Sequence, residues 1–305
     1  MAYEIVLTDC MDWLRERGEN SVHAVVTDPP FGMREYMAHE VAKLRAGRGG
    51  VWRIPPKIGG SQRRPLPRFT VLSAQEVEAM SAFFHEWGRL IQKVLVPGGH
   101  VFIASNPLVS HAVFTSLAQA GLEKRGEIIR LVRTLRGGDR PKNAEEEFPN
   151  VSAMPRSCWE PWGLFRKPFE GTLADNLRKW WAGGLRRLSP DSPFPDVLVS
   201  GRTPEREREI APHPSLKPQE FMRRIVWASL PLGKGIVLDP FAGAGATLAA
   251  AEHFGYDSIG MEVDPEYAET ARKAVPVLAR LPVEIPENGI LNGRQATLFA
   301  ATVDE

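Results

Sequence analysis

The stretch 235-GIVLDPFAGAGATLAAAEHFGYDSIGMEVDPEYAETARKAV-275 decides the fold. It opens on a short apolar run, Gly235–Leu238, that stops at Asp239-Pro240-Phe241. A turn of small residues follows, Ala242-Gly243-Ala244-Gly245, and a helix is expected to start near Thr247. Ser258–Val263 is a second short apolar run. Runs of this length that end at turn signals are expected of strands in a parallel sheet, buried on both faces. Glycines in a strand-to-helix turn let the backbone approach a ligand at a helix N-terminus. Glu262 follows Gly245 by seventeen residues, at the tip of the neighbouring strand, where a carboxylate can accept hydrogen bonds from ribose hydroxyls. An isolated Gly-x-Gly could equally be an ordinary tight turn with an exposed acid. Here strand, turn and acid agree in spacing and favour a nucleoside cofactor. The turn reads F-A-G-A-G, not G-x-G-x-x-G, and presents few polar groups to a pyrophosphate. A phosphate-free cofactor such as S-adenosylmethionine therefore fits better than NAD. Asp239, Phe241, Ala242, Gly243, Gly245, Thr247 and Glu262 are the candidate cofactor-binding residues of this stretch.

Outward from it, His23–Thr27 and His100–Ala104 have the same buried-strand character. Helical periodicity lies between them. Residues 74–95 set Val77, Met80, Phe84, Trp87, Ile91 and Val94 on one face, with Ser73 and Glu76 as a capping box at the start. Residues 218–230 do the same with Phe221, Met222, Ile225 and Val226. Strands alternating with helices predict an α/β fold with a doubly wound, Rossmann-like sheet. Two regions fit less well. Residues 34–68 are rich in Gly and Pro and read as an insertion; residues 123–213 show little clean periodicity and read as a variable module or long loops.

A second motif lies at the end of His23–Thr27, where the chain meets Asp28-Pro29-Pro30-Phe31. The prolines fix φ and remove N–H donors, giving a stiff loop outside the carboxyl end of the sheet, where α/β proteins bind ligands. The loop offers a carboxylate, free carbonyls and an aromatic face. These suit a flat base with an exocyclic amine: Asp28 and the Pro29 carbonyl accept its two N–H bonds, and Phe31 stacks on the ring. Two acceptors pull the amine nitrogen toward a tetrahedral shape and take up developing positive charge. Holding it in line with a methyl sulfonium supplies the rest, with no metal and no covalent intermediate. Alone, D-P-P-F is also a strand-terminating turn with a capping Asp; the F-A-G-A-G turn in the same chain favours the catalytic reading.

Together the two motifs resemble those of the DNA amino-methyltransferases, which methylate adenine N6 or cytosine N4 from S-adenosylmethionine. D-P-P-F first and F-A-G-A-G about 210 residues later is similar to the β-group order, with a target-recognition region between. The resemblance extends to residues 6–31, where it implies that Asp9, beside Cys10, lies near the cofactor's adenine. It extends to His213-Pro214-Ser215-Leu216-Lys217-Pro218, where it places Lys217 near the cofactor's methionine end. More weakly it includes Cys158-Trp159-Glu160 through Phe165-Arg166-Lys167. An Asp at the first loop position implies adenine N6, with cytosine N4 as the alternative. RNA and protein-glutamine methyltransferases usually carry the glycine turn first, so the order here argues against them. A DNA-binding module with a degenerate cofactor site is disfavoured because Lys217, Gly243, Gly245 and Glu262 are all present.

The expected organisation is a catalytic half at 1–122 holding the basic insertion 34–68, a target-recognition region at 123–212, a cofactor-binding half at 213–280 and a tail at 281–305. The target base must be flipped out of double-stranded DNA while Lys and Arg hold the phosphates. The whole chain carries a formal net charge of only +1, which excludes a uniformly basic coat protein. That charge is uneven. Residues 34–68 hold nine Lys and Arg against two acids, and residues 123–190 hold 14 against nine. Arg34, Arg45, Arg48, Arg53, Arg63, Arg64, Arg136, Arg140, Arg166 and Lys167 are the candidate DNA contacts, with Trp159, Trp162, Trp180 and Trp181 available for base reading. Gln295-Ala296-Thr297-Leu298-Phe299 resembles short peptides that dock into the bacterial replication sliding clamp, although a tail packed on its own domain reads the same way. The β-group resemblance implies a homodimer. Two cysteines, Cys10 and Cys158, are too few for a disulfide framework, and neither a signal peptide nor a long apolar span is visible, so a cytoplasmic location is expected.

Overall fold

The computed structural model describes residues 3–30, 73–132, 138, 140–141 and 143–283, with the backbone alone of 57–58 and 61–62. Phe31, Arg34, Arg45, Arg48, Arg53, Arg63, Arg64, Arg136 and the peptide Gln295–Phe299 lie outside the described residues.

Strand β1 (Tyr3–Leu7) leads into helix α1 (Cys10–Glu16), capped by Asp9, whose carboxylate accepts from the Met11 N–H at 2.7 Å. Strand β2 (Val22–Thr27) is the expected buried run. A short antiparallel pair, β3 (Lys57–Ile58) and β4 (Ser61–Gln62), follows. Helix α2 (Ala74–Val94) begins at the expected capping box: Ser73 Oγ accepts from the Glu76 N–H at 3.3 Å, and Glu76 accepts from the Ser73 N–H at 2.7 Å. Then come β5 (Leu95–Ala104), α3 (Ser110–Gln119), β6 (Glu123–Leu131), β7 (Trp159–Arg166), α4 (Leu173–Trp180), β8 (Val197–Val199), α5 (Glu205–Ile210), α6 (Gln219–Ser229), β9 (Ile236–Asp239), α7 (Ala246–His253), β10 (Asp257–Glu262) and α8 (Pro265–Arg280). Strand β5 starts five residues before the expected His100, because Leu95 pairs with Val22 and the register shifts across Pro97-Gly98-Gly99 before Ala24 meets His100.

Eight strands form one sheet in the order β1-β10-β9-β2-β5-β7-β6-β8. All neighbours are parallel except those of β7, which runs against both β5 and β6. From β9 the chain crosses to β10 in one direction; from β2 it crosses to β5 in the other. Right-handed crossovers therefore put α7 and α2 on opposite faces. Helix α2 packs with α1 and α3, while α7 packs with α6 and α8. The core is continuous through the sheet: Trp87, Phe84 and Ile91 of α2 and Phe221 and Ile225 of α6 are all fully buried.

Residues 123–212, expected as a separate recognition region, instead supply three strands of this sheet. Strands β6 and β7 miss the pattern of a doubly buried strand. Glu123, Lys124 and Arg125 open β6 at its more exposed end, and β7 mixes Trp, Pro and Gly with a charged residue near each end. The described residues of this region outside the sheet fall within 132–158, 167–196 and 200–212. Helix α4, within the second excursion, packs near the start of β5, where the Asn176 amide donates to Pro97 O at 3.0 Å and to Ala182 O at 2.7 Å. Among the described residues no helix is long and apolar enough to cross a membrane.

Candidate active site

The crossovers diverge between β9 and β2, and in doubly wound sheets this switch point opens a crevice outside the carboxyl ends of the strands. Here the two ends are tied together: Thr27 Oγ1 donates to Asp239 Oδ1 at 2.7 Å, and the same oxygen accepts the Phe241 N–H at 3.1 Å. The cleft above them is lined by Asp28, Lys217, Asp239, Phe241, Gly243 and Thr247 among others. Residues distant in sequence thus meet in one cleft.

The glycine turn is shaped by two left-handed residues, Gly243 at φ +51° and Gly245 at φ +85°. A Cβ on Gly243 would lie 3.2 Å from His213 Nε2, so the missing side chain keeps the turn flat under the imidazole. His213 packs edge-on against Tyr267, ring centres 4.5 Å apart. Glu262 ends β10 and reaches back: Oε2 accepts the Gly243 N–H at 2.9 Å and Oε1 the Asp264 N–H at 2.9 Å. Its carboxylate is thereby fixed at the strand tip. Asp9 stands at the end of neighbouring β1, where the Thr8 N–H donates to Glu262 O at 3.0 Å. Cys10, by contrast, turns into the apolar core, and burial pushes its thiol up to about 12. It offers no thiolate to the cleft.

At the other side of the cleft, Lys217 Nζ donates to Asp28 Oδ2 at 2.6 Å and lies 3.6 Å from Glu160 Oε2. Glu160 Oε1 accepts from Trp162 Nε1 at 2.7 Å, and Arg130 Nη1 is 3.5 Å from Oε2. Burial pushes the Asp28 carboxyl above its ordinary range, opposed by the Lys217 ammonium. Burial would raise Glu160 too, but Lys217 and Arg130 together bring it below the ordinary range. Burial would lower Lys217; the two carboxylates outweigh it and hold the ammonium charged. Asp239 is pushed up to about 6, chiefly by burial. Glu160 and Arg130 were not among the sequence candidates. Their only signal was the weak Cys158-Trp159-Glu160 match and a lone Arg in a variable region.

Two of the proposed DNA contacts are displaced by the topology. Because β7 is antiparallel, its last residues reach the end of the sheet opposite the cleft: Arg166 pairs with His100, not with Ala104. Arg166 donates through Nε and Nη2 to Glu123 Oε2 at 2.9 and 2.6 Å and stacks on Phe169. Lys167 donates to Asn20 Oδ1 and Leu95 O, both at 2.8 Å. Both are internal fasteners of the sheet. Trp162 is fully buried against Phe221, and Trp181 stacks on His23 at the start of β2, so neither reads bases from the cleft side. Arg140 is exposed, and Trp159, 37% exposed, starts β7 at the cleft end.

The residues present fit S-adenosylmethionine. The described cleft holds one lysine, already balanced by two acids, and so has no free cation for a pyrophosphate. It combines a turn without a Cβ at Gly243 and Gly245, a fixed carboxylate at a strand tip and a largely enclosed ammonium. A doubly wound sheet with this cleft and an Asp-Pro-Pro loop beside it defines a class: a methyltransferase with S-adenosylmethionine as its cofactor.

Residues 141–273 match the family model described as DNA methylase. The chain is 24% identical over 270 residues to the type II methyltransferase M2.DpnII of Streptococcus pneumoniae, spanning 88% of each protein. The fold is shared with the DNA modification methylase TTHA0409 of Thermus thermophilus, solved in complex with S-adenosyl-L-methionine (20% identity, 92% of this chain and 95% of that one, TM-score 0.56). It is shared also with the PvuII DNA methyltransferase, described as cytosine-N4-specific (14% identity, 98% and 92%, TM-score 0.56). The family model and the type II relatives support a DNA amino-methyltransferase of the β-group type, adenine-N6 or cytosine-N4.

Proposed function

We propose that the protein methylates adenine N6 in double-stranded DNA, in a flipped-out base. The observation that carries this reading is the position of Asp28, held at the end of β2 and opening onto the same cleft as the glycine turn. S-adenosylmethionine, when bound, supplies a methyl group on a sulfonium. Asp28 accepts one N–H of the target amine and the Pro29 carbonyl the other, with Phe31 against the ring. Both acceptors would direct the nitrogen lone pair toward the methyl donor, and Asp28 or water would take the N–H proton that leaves. Glu262 would hold the ribose, Asp9 would lie near the adenine, and Lys217 would lie toward the methionine end. The Asp at the head of the loop supports adenine.

A second reading, cytosine N4, is supported by the likeness to the cytosine-N4-specific PvuII enzyme. Mass spectrometry of nucleosides from treated DNA tests both: N6-methyladenine supports the first, and N4-methylcytosine alone overturns it. By analogy with M2.DpnII, a type II enzyme, we assign the activity to restriction-modification in the cytoplasm. The basic segment 34–68 and Arg140 would hold the DNA phosphates. A homodimer and docking of Gln295–Phe299 on the sliding clamp complete the proposal. Loss of clamp binding on Leu298→Ala with Phe299→Ala supports the latter, and no binding by the intact protein overturns it.

A further inference from the structure

We infer that Glu160 is a positioning residue for methyl transfer: it gives the Lys217 ammonium a second counter-ion, so that Asp28 can turn its carboxylate to the target amine. The inference rests on the reading of Asp28 as the amine acceptor.

Two carboxylates from distant parts of the chain share one ammonium, at 2.6 Å to Asp28 and 3.6 Å to Glu160. All three side chains are largely enclosed, with Lys217 13%, Asp28 23% and Glu160 22% exposed. In the resting arrangement Lys217 occupies Asp28 Oδ2, one of the two acceptor oxygens of that carboxylate. Lys217 has a flexible four-carbon stem. Glu160, in contrast, is clamped: one oxygen accepts the Trp162 indole N–H at 2.7 Å and the other faces Arg130 at 3.5 Å. Arg130 is clamped in turn, donating to Ser200 Oγ and Gly201 O at 2.9 Å each and lying over the Phe221 ring. Ser200 Oγ donates to Glu220, which is paired with Arg224. A fixed charge therefore stands beside a movable one. Lys217 sits less than about 1 Å beyond ordinary hydrogen-bond distance from Glu160, so a small swing of its stem transfers it from Asp28. Buried charges are expensive unless paired, and removing Glu160 would leave Lys217 with Asp28 alone. The charged groups around Asp28 are Lys217, Glu160 on β7, Arg130 on β6 and Asp239 on β9.

Glu160→Gln tests this, since Gln keeps the shape and an acceptor for Trp162. We expect kcat for methyl transfer to duplex DNA to fall 10- to 100-fold with KM for DNA within threefold. The acid limb of the kcat profile should move to lower pH, because a negative neighbour of Asp28 is gone. Glu160→Asp should restore most of kcat. A merely structural lesion lowers the plateau without moving the limb. A Gln variant within threefold of the unaltered enzyme, or one with an unmoved limb and no rescue by Asp, overturns the inference. Should the Gln variant not fold, Glu160→Asp carries the test alone: with the charge kept, kcat within a few fold and an unmoved limb support the inference, and a 10- to 100-fold loss of kcat overturns it. Failure of the underlying reading looks different: the unaltered protein then binds S-adenosylmethionine and methylates no DNA.

Discussion

Lys217 closes on Asp28, Nζ to Oδ2 at 2.6 Å, joining residues 189 positions apart at the mouth of the cofactor cleft. The contact brings the Asp-Pro-Pro loop of one half of the sheet against the segment that precedes the glycine turn of the other. On the proposed reading, this one carboxylate serves two partners, a lysine at rest and an amine during transfer.

Asp28→Ala should abolish methyl transfer, by at least ~10²-fold, because the amine loses a charged acceptor where positive charge develops. Cofactor affinity, measured by calorimetry, should stay within about threefold of the unaltered protein's. The loss of stability should be smaller than the ~3–5 kcal/mol of a broken buried pair, since Lys217 keeps Glu160. Retained turnover in this variant would remove Asp28 from the mechanism.

The pH profile follows from the same pair. Burial raises Asp28 above its ordinary 3.8. The amine needs the ionised carboxylate, so kcat should rise with pH along a limb whose midpoint lies above 3.8. A limb at or below that value would contradict the burial argument.

The parts of this site legible in the sequence are those carried by local patterns. The runs into Asp28 and Asp239 stop at prolines, the turn needs two glycines, and α2 announces itself by a capping box and a 3.6-residue stripe. What was not legible depends on pairing between distant strands. Trp159–Arg166 becomes a strand only through β5 and β6 on either side. Its direction then decides that Glu160 faces the cleft while Arg166 does not, and charge alone cannot reveal which end of a strand a residue occupies. Buried arginines mislead in the same way: Arg223, 2% exposed, donates to the carbonyls of Leu278, Ala279 and Leu281 at the end of α8 and binds nothing outside.

That topology makes a prediction about DNA. Affinity should fall steeply with salt despite the near-zero net charge, as phosphate contacts release counterions. Arg166→Ala should leave the slope of log K against log salt unchanged and cost about 1 kcal/mol of stability, a small value because Glu123 is 39% exposed and can hydrate. A slope reduced by about 1 would restore Arg166 as a phosphate contact.

Gly245 is held by geometry. At φ +85° an added Cβ would lie 2.5 Å from Val275 Cγ2 and 3.2 Å from Ala271 Cβ. Gly245→Ala should therefore cost about 2–4 kcal/mol, from the left-handed backbone and overpacking against α8. Val275→Ala opens space at the nearer contact, so the two substitutions should couple, the double variant being more stable than their sum. Additive losses in urea unfolding would place the cost elsewhere.

Asp239 is the last case, and its sign is opposite to that of a salt-bridged acid. It is 3% exposed and its carboxyl is pushed from 3.8 to about 6, burial outweighing the bonds from Thr247, Thr27 and Phe241. The folded state therefore holds the proton more tightly than the unfolded chain does. The stability this contributes is fully present below 3.8 and is lost as pH rises through about 6. A displacement of this size corresponds to about 3 kcal/mol, an upper value for a single group. Asp239→Asn keeps an oxygen to accept from Thr27 and from the Phe241 N–H while removing the charge. The variant should melt above the unaltered protein at pH 8, and its advantage should shrink by pH 5. A variant that melts lower at pH 8 would mean that the ionised carboxylate supports the turn more strongly than burial opposes it.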